Sequence, residues 1–529
     1  METTARQYLT AIRQAEVNLN LYSLAVFINH DQLNLSVFPA ELLAGKPLLI
    51  FVESFAYATH IPHHKQKLVY ILSAQRHFAI ACYEQGYPVY TVFTLGYHAD
   101  GVREILTQYP QLRTIAMQPS EWDSRWRLEK LRQEMGDRLT IIANGFFMAN
   151  LEEFQHKIKK NYRLETFYRA MRKATGYLMR EGKPEGGKWN YDKDNRKPLP
   201  KKITLPAIPR FSPDAITQEV IALVTQHLPN NFGRLDQFNF AVTHSQALLL
   251  LKDFIEHRLA RFGAYEDAIK TGEPFLFHSV LSLYLNNGLL LPQQVCMAVL
   301  SAYAEGKAPL NSVEGFIRQV IGWREYIRVY YEAMMPEVRH SNYFGFTYGL
   351  PECYWSGNTD LACLKDALSH VINYGYSHHI QRLMVLSNFS NLTFTNPQAL
   401  NQWFWFAYVD AYEWVELPNV LGMATFADGG ILASKPYVAG GNYIHKMSDC
   451  CRQCPYDVKQ KTGDRACPFN YLYWHFVDRH REVFMENGRV SLMTQMYDQK
   501  DDREKEAIRQ SAVQFITRLP RYNGSLGHH

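Results

Sequence analysis

Nowhere in the 529 residues does an apolar stretch reach eighteen residues, so no helix of this chain is expected to span a membrane. Residues 1–22 set Arg13, Glu16 and Asn18 among their apolar positions and lack the unbroken apolar segment of a secretory signal, which points to a cytoplasmic protein. The first 150 residues hold no GxGxxG and no Walker-type glycine loop, so a nicotinamide or nucleoside-triphosphate site is not indicated there. No internal repeat is visible. Net charge is small, +5 from 56 basic and 51 acidic residues, and the mean selects no partner.

What the chain does hold is unevenly spread. Apolar residues make up 47% and aromatic residues 14%, enough to surround a large aromatic cofactor or to stack bases, although ordinary core packing uses the same residues. A chain this long exceeds one ordinary core, and two or three domains are expected. Between residues 23 and 150, LAVFI (Leu24–Ile28), PLLIFVE (Pro47–Glu53), YPVYTVFTL (Tyr87–Leu95) and LTIIAN (Leu139–Asn144) alternate with helical spacing. That alternation predicts an α/β domain with a parallel sheet. Residues 151–235 are basic, with 15 Lys and Arg against 5 Asp and Glu from Lys157 to Lys202. Such a strip neutralises phosphates in a salt-dependent way, or is simply solvated. The glycines and prolines of EGKPEGGKWNYDKDNRKPLPKK break regular structure, so the stretch reads as a long inter-domain connection. From Phe238 the pattern is helical, over Ala247–Ala260, Leu276–Asn286, Pro292–Ala304, Val313–Met334, Leu361–Leu386 and Pro397–Tyr412, and an all-α domain is expected over 236–522. Residues 523–529 read as a tag remnant.

Four of the eight cysteines lie in SDCCRQCPYDVKQKTGDRACPFN, which sets Cys451, Cys454 and Cys467 at metal-ligand spacing beside Cys450. A fourth thiolate has to come from a distance, and Cys363 and Cys353 are the candidates. All-thiolate ligation suits zinc or an iron–sulfur cluster, and spacing does not separate the two; unligated buried thiols are the third reading.

Three segments resemble the photolyase/cryptochrome family: FIRQVIGWREYIR (Phe316–Arg328), YGYSHHIQRLM (Tyr374–Met384) and WFAYVDAYEWVELPNVLGMATFADGG (Trp405–Gly430). FLFHSVLSLYLNNGLL (Phe275–Leu290) is similar to the family's helix at the flavin phosphates. HDQL (His30–Leu33), HHKQKLVYILSAQRHF (His63–Phe78), EGGKWNYDKDNRKP (Glu185–Pro198) and the cysteine contexts resemble its iron–sulfur branch, the prokaryotic (6-4) photolyases and bacterial cryptochromes. The likeness runs over nearly the whole chain after residue 23.

The resemblance implies an α/β antenna domain joined to a large helical FAD-binding domain that carries a [4Fe-4S] cluster on Cys363, Cys451, Cys454 and Cys467. Tyr265, Ser279, Ser282, Gln319, Arg324, Arg382, Asp410 and Glu416 would contact the flavin, with Glu416 at N5, where the common branch has an amide. His378 and His379 would adjoin the lesion, and one of them would supply a proton. Eukaryotic relatives carry a further histidine directly after the arginine; here that position is Leu383. Trp403 and Trp355 would relay electrons, with Phe404 where a tyrosine is expected. Trp323 would stack on a splayed base and Asp192 would lie at the lesion, with Mg2+ bridging Asp192 and Asp194 to phosphate as the alternative to solvated carboxylates. Asp31, Gln32, Glu53 and Ile71 would surround a 6,7-dimethyl-8-ribityllumazine antenna, with Tyr57 where relatives have an acidic residue. The implied activity is light-dependent repair of (6-4) photoproducts in single- or double-stranded DNA by a monomer. A photoreceptor with little repair, and a zinc-stabilised nucleic-acid binder without catalysis, are the competing classes.

Overall fold

The computed structural model describes residues 17–160 and 162–522; the expected tag remnant and most of the N-terminal extension lie outside them. Strands β1 (Leu24–Ile28), β2 (Leu48–Ser54), β3 (Val89–Thr94), β4 (Arg113–Met117) and β5 (Leu139–Ile142) form one sheet, ordered β3-β2-β1-β4-β5 and parallel throughout. β1 and β2 are nearly continuous apolar runs because both faces of the sheet are covered. One face packs on the helices His98–Gln108 and Trp122–Met135 in a small core of its own. The other joins a large core that continues from Val26 and Phe51 through to Leu421 and Leu432 in the helical half.

The helix Lys65–Glu84 ties the two halves together. Thirteen of its 20 residues are buried, polar ones included, so it has no single apolar stripe. Its first turns reach into the helical half: Gln66 Nε2 donates to the carbonyls of Arg234 and Asn373, Lys67 Nζ to that of Trp405, and Tyr70 Oη to that of Leu283. At the same junction the buried Glu325 carboxylate accepts the backbone N–H groups of Met148 and Ala149 at 2.7 and 2.8 Å.

The basic stretch is more ordered than its glycines and prolines suggest. Leu151–Ile158, Leu164–Thr175 and Ala215–His227 are helices, a short hairpin follows the second of them, and residues 188–214 are irregular. The first two helices have strongly one-sided apolar faces, with Phe154, Ile158, Phe167, Tyr168 and Met171 buried in the large core. Charge counted along the chain hid that amphipathicity.

Beyond residue 238 the chain is helical, with a second core around Leu364, Leu386, Trp403, Leu472 and Ile508. Two expected helices are interrupted. Leu361–Leu386 stops at Tyr374 because Gly375 turns left-handed at φ +57°, where a Cβ would lie 2.5 Å from Val409 Cγ2. Leu276–Asn286 begins only at Ser282, since Leu276 and Val280 adopt φ of 45° and 56°. Three segments, Arg318–Arg324, Gln381–Ser387 and Pro418–Ala424, are π-helical, a form that recurs at functional sites. No helix of the described residues is long and apolar enough to cross a membrane.

Candidate active site and thiol pocket

Gly375 frees the chain to re-enter helix at a new angle, and the turn that follows carries His378, His379 and Arg382. Arg382 Nη1 and Nη2 each donate to Asp410 at 3.1 Å, and its Nε donates to the Ser377 carbonyl at 2.7 Å. Ser282 Oγ donates to Asp410 Oδ2 at 2.7 Å, and Asn286 Nδ2 to the Asp410 carbonyl at 2.8 Å. Three segments far apart in sequence thus meet on one residue. The guanidinium also lies 4.1 Å over the Tyr408 ring. Asp410 is buried and Arg382 partly so, and leaving either charge without the other is costly.

Glu416 is buried, and neither carboxylate oxygen has a partner. Burial pushes its pKa well above the usual carboxyl range, against the pull of the Lys67 charge. Lys67, fully buried at the start of the tie helix, is itself held down to about 8 by burial, with Glu121, Glu416 and Asp410 drawing it back up. A buried carboxyl with both oxygens unpaired fits a group that brings its own hydrogen-bonding edge, as flavin does.

The two adjacent histidines differ sharply. His379 has a side chain 52% exposed, and its Nε2 lies 3.3 Å from Asp267 Oδ1. His378 is 1% exposed and neither of its ring nitrogens has a partner; burial pushes it well below the ordinary histidine range, helped by His278 and His379. Trp403 is fully buried, its Nε1 donating to the Tyr354 carbonyl at 3.0 Å. Trp355 stacks on Phe406 at 4.9 Å, and Phe232 meets Trp355 and Trp403 at 6.0 and 6.4 Å between ring centroids. Phe404 stacks on Tyr408 at 5.1 Å, which carries the aromatic chain on to Arg382.

Other candidates stand apart from this cluster. Gln319 is exposed. Arg324 spends its donors on Glu325 and the carbonyls of Phe146 and Leu285, acting as a strut between the halves. Tyr265 packs on Phe277 at 5.4 Å, and Ser279 Oγ accepts the Leu281 N–H. Trp323 is half-buried and its Nε1 donates to Asn419 Oδ1 at 3.0 Å. Asp192 accepts from Arg318 at 2.5 Å and lies 3.6 Å from Arg196; burial would raise it, but the Arg318 hydrogen bond and charge win and hold it below the usual range. Both arginines lie on Oδ1 of this carboxylate, which ties it to the protein in place of free solvation.

Around the expected antenna residues two kinds of polar group are found. Some are committed within the protein. Asp31 accepts from Asn29 Nδ2 at 2.8 Å and from the Ser120 N–H at 3.2 Å, Gln32 Nε2 donates to the carbonyls of Met117 and Gln118, and Arg76 binds Glu53 at 2.7 and 3.0 Å. Ile71 is buried on the tie helix. Others are buried and unpaired: Gln32 Oε1, His30 Nε2 and both ring nitrogens of His63. The His30 ring contacts Tyr57 at 4.5 Å and His98 at 4.7 Å, and Tyr57 lies 5.6 Å from His63. Orphaned polar atoms gathered among flat rings fit a polar heterocycle such as a lumazine.

The thiols behave as a group. Cys363, Cys451, Cys454 and Cys467 line one mostly apolar pocket together with Gly441, whose added Cβ would stand 2.8 Å from Cys467 Sγ. Cys450 borders the same pocket, but its Sγ takes the Thr271 hydroxyl at 3.5 Å. Burial pushes Cys451 up to about 11 and Cys467 up to about 12, and it raises Cys363 well above the ordinary thiol range with the neighbouring thiols adding to it, so these sulfurs ionise together only around positive charge. Among the described residues no three His, Cys, Asp or Glu side chains converge as they would on a single metal ion. A pocket lined by five thiols, of which Cys450 is turned to Thr271, leaves four sulfurs to fit an iron–sulfur cluster. Cys353 is buried in the second core, as Cys450 and Cys467 are, but does not line this pocket.

The residues that sequence reading passed over are His278, Lys67 and Tyr408. Lys67 sits in a basic-looking HHKQK, with nothing local to mark it as buried; Tyr408 follows Phe404 by about one helical turn, which was the available signal.

This sheet-and-helix architecture is that of photolyases and cryptochromes. A bacterial class III photolyase from Agrobacterium tumefaciens superposes with a TM-score of 0.56 at 15% identity, covering 94% of this chain and 98% of that one. A cryptochrome from Synechocystis gives 0.55 at 12% identity, covering 92% and 98%. The family model described as deoxyribodipyrimidine photo-lyase-related protein matches residues 26–240. The (6-4) photolyase of Agrobacterium fabrum is 41% identical over 502 residues, 93% of this chain and 99% of its own length. The chain belongs to the photolyase/cryptochrome family, in the branch of that bacterial (6-4) photolyase.

Proposed function

We propose that this protein repairs (6-4) pyrimidine–pyrimidone photoproducts in DNA, driven by light through a reduced FAD bound at the Arg382–Asp410 pair. The observation that carries the reading is His379: half-exposed, paired with Asp267, and within one turn of the arginine that grips Asp410. The FAD supplies the light-driven electron that opens the lesion and takes it back afterwards.

The chain's own groups do the rest. Arg382 and Asp410, with Ser282 on the same carboxylate, form a fixed polar unit that would hold the isoalloxazine ring. Glu416, with both oxygens unpaired, would receive the N5 edge of the flavin, and Lys67 keeps that buried carboxyl from standing alone. Ser279, Tyr265, Gln319 and Arg324 serve the outer parts of the cofactor or its supporting wall, and of these Arg324 acts through packing. His379, with its Nε2 against Asp267, would be the side chain that passes a proton to the lesion. Trp355 and Trp403 would relay electrons from a reductant in solution toward the flavin, across their aromatic contacts with Phe232. Trp323 takes a displaced base, and the basic stretch before residue 235 follows the DNA phosphates, which makes binding salt-dependent. Cys363, Cys451, Cys454 and Cys467 hold a [4Fe-4S] cluster that braces the second core. Asp31, Gln32, Glu53 and Ile71 would frame the lumazine antenna, and the unpaired atoms of His30 and Gln32 would be available to its polar edge.

Expression in ultraviolet-irradiated, repair-deficient bacteria tests the repair reading. Survival rises under blue light and not in the dark, while antibody-detected (6-4) products fall. Unchanged products with flavin-loaded protein present would move the reading to a photoreceptor. For the antenna, denatured protein is expected to release a lumazine beside FAD, as read by chromatography with fluorescence detection. FAD alone would leave the unpaired atoms around His30 to ordered water.

A further inference from the structure

The adjacent histidines are joined by a third that no sequence spacing connects with them. The His278 ring stacks on His378 with centroids 4.7 Å apart and planes 9° from parallel, and meets His379 edge-on at 5.4 Å. His378 and His379 lie 6.5 Å from each other, so His278 is nearer to each than they are to one another. It stands about a hundred residues earlier, in the loop that precedes Ser282.

That loop is held in a conformation it would not adopt unaided. Leu276 and Val280 flank His278 at φ of 45° and 56°, a region that costs a bulky or β-branched residue of order 1–3 kcal/mol. Arg258, fully buried and tied to Asp253 at 2.7 Å, fixes the loop by donating to the carbonyls of His278 at 2.8 Å and Ser279 at 3.4 Å. His278 itself is 6% exposed, and its Nε2 is buried without a partner. Strain, a buried anchor and an unsatisfied nitrogen converge on one side chain, whereas packing alone would be served by leucine or phenylalanine in a relaxed loop.

We propose that His278 is a positioning residue of the lesion site, whose ring fixes the orientation of His379 through edge contact while its stack with His378 fixes its own. It reaches the site from a segment about a hundred residues before the histidine pair. The inference rests on the repair reading for its purpose, though the contacts stand without it. His379 also faces Asp267, whose other oxygen takes the Tyr443 hydroxyl at 3.4 Å, so one side of the ring is held by a carboxylate and another by His278. Burial, with the charges of His379, Arg258 and Arg382 adding to it, keeps His278 well below the ordinary histidine range, which agrees with a neutral ring used as a brace.

Two variants of the flavin-loaded protein test this. His278→Ala removes the ring, and His278→Phe keeps a ring of similar shape. Nitrogen-15 spectra of labelled histidine in the dark should show one ordered tautomer for His379 in the wild type and in His278→Phe, and averaged signals in His278→Ala. In single-turnover repair at saturating lesion DNA, His278→Ala should lose about tenfold to a hundredfold in rate, the scale of a misplaced catalytic group, with lesion affinity within about twofold. His278→Phe should recover most of that rate. An unchanged His379 spectrum in His278→Ala would overturn the inference, and so would His278→Phe as slow as His278→Ala with full flavin. If His278→Ala does not fold, His278→Asn removes the ring with less loss of volume and is read in the same way. Wild-type protein that fails to repair would instead overturn the functional reading and leave the spectra to decide this one.

Discussion

Cys451→Ala protein is expected to come off the column with its iron reduced to near zero and its soluble yield sharply lowered, while Cys450→Ala keeps both. The contrast follows from the pocket. Cys451 is one of five thiols that line it, and burial makes their joint ionisation depend on positive charge between them. Cys450 has an alternative partner in Thr271. Metal binding of this kind is worth of order 10 kcal/mol in structural sites, comparable with the whole stability of a domain, so losing one ligand should unsettle the second core as well as empty the pocket. Iron determination together with the visible absorbance of each variant checks this. The reverse pattern would mean that Cys450 is the ligand.

His379→Ala should lower (6-4) repair by ~10²–10⁴, the usual worth of a positioned general acid, with FAD still bound. The polar partner of His379 is Asp267, outside the Arg382–Asp410 pair, and its exposure makes the truncation cheap to the fold. His378→Ala should also slow repair, for a different reason. It removes a buried ring from the stack with His278, so its loss comes with lower thermal stability. Rates and melting temperatures measured side by side separate the two. Full repair by His379→Ala would remove the general-acid assignment.

Much of the architecture is legible in the sequence. The runs LAVFI and PLLIFVE are what a strand buried on both faces looks like, and they form β1 and β2. The segments around Arg382, Asp410 and Ser282 are readable as a set through their order, and the fold brings them to one carboxylate. What could not be read depends on contacts between distant segments. Nothing in FLFHSV says that His278 will stack on His378, because that requires two left-handed residues and a buried arginine to bend the loop. The helices inside the basic stretch were masked by composition, since their lysines and arginines share short segments with the buried apolar residues. Likeness to relatives points to Asp31 and Glu53, yet both carboxylates are already bound within the protein. The unpaired atoms beside them belong to His30, Gln32 and His63, and only the three-dimensional packing separates the two groups.

The central claim is that this chain reverses (6-4) photoproducts with light. The most direct measurement uses reduced protein with a single-stranded oligonucleotide carrying one (6-4) T–T lesion, under blue light and in the dark, with a cyclobutane-dimer oligonucleotide in parallel. Loss of the (6-4) lesion in the light alone, with the cyclobutane dimer untouched, is the predicted result. Repair of the cyclobutane dimer alone, or of neither lesion by flavin-loaded and reducible protein, would contradict it.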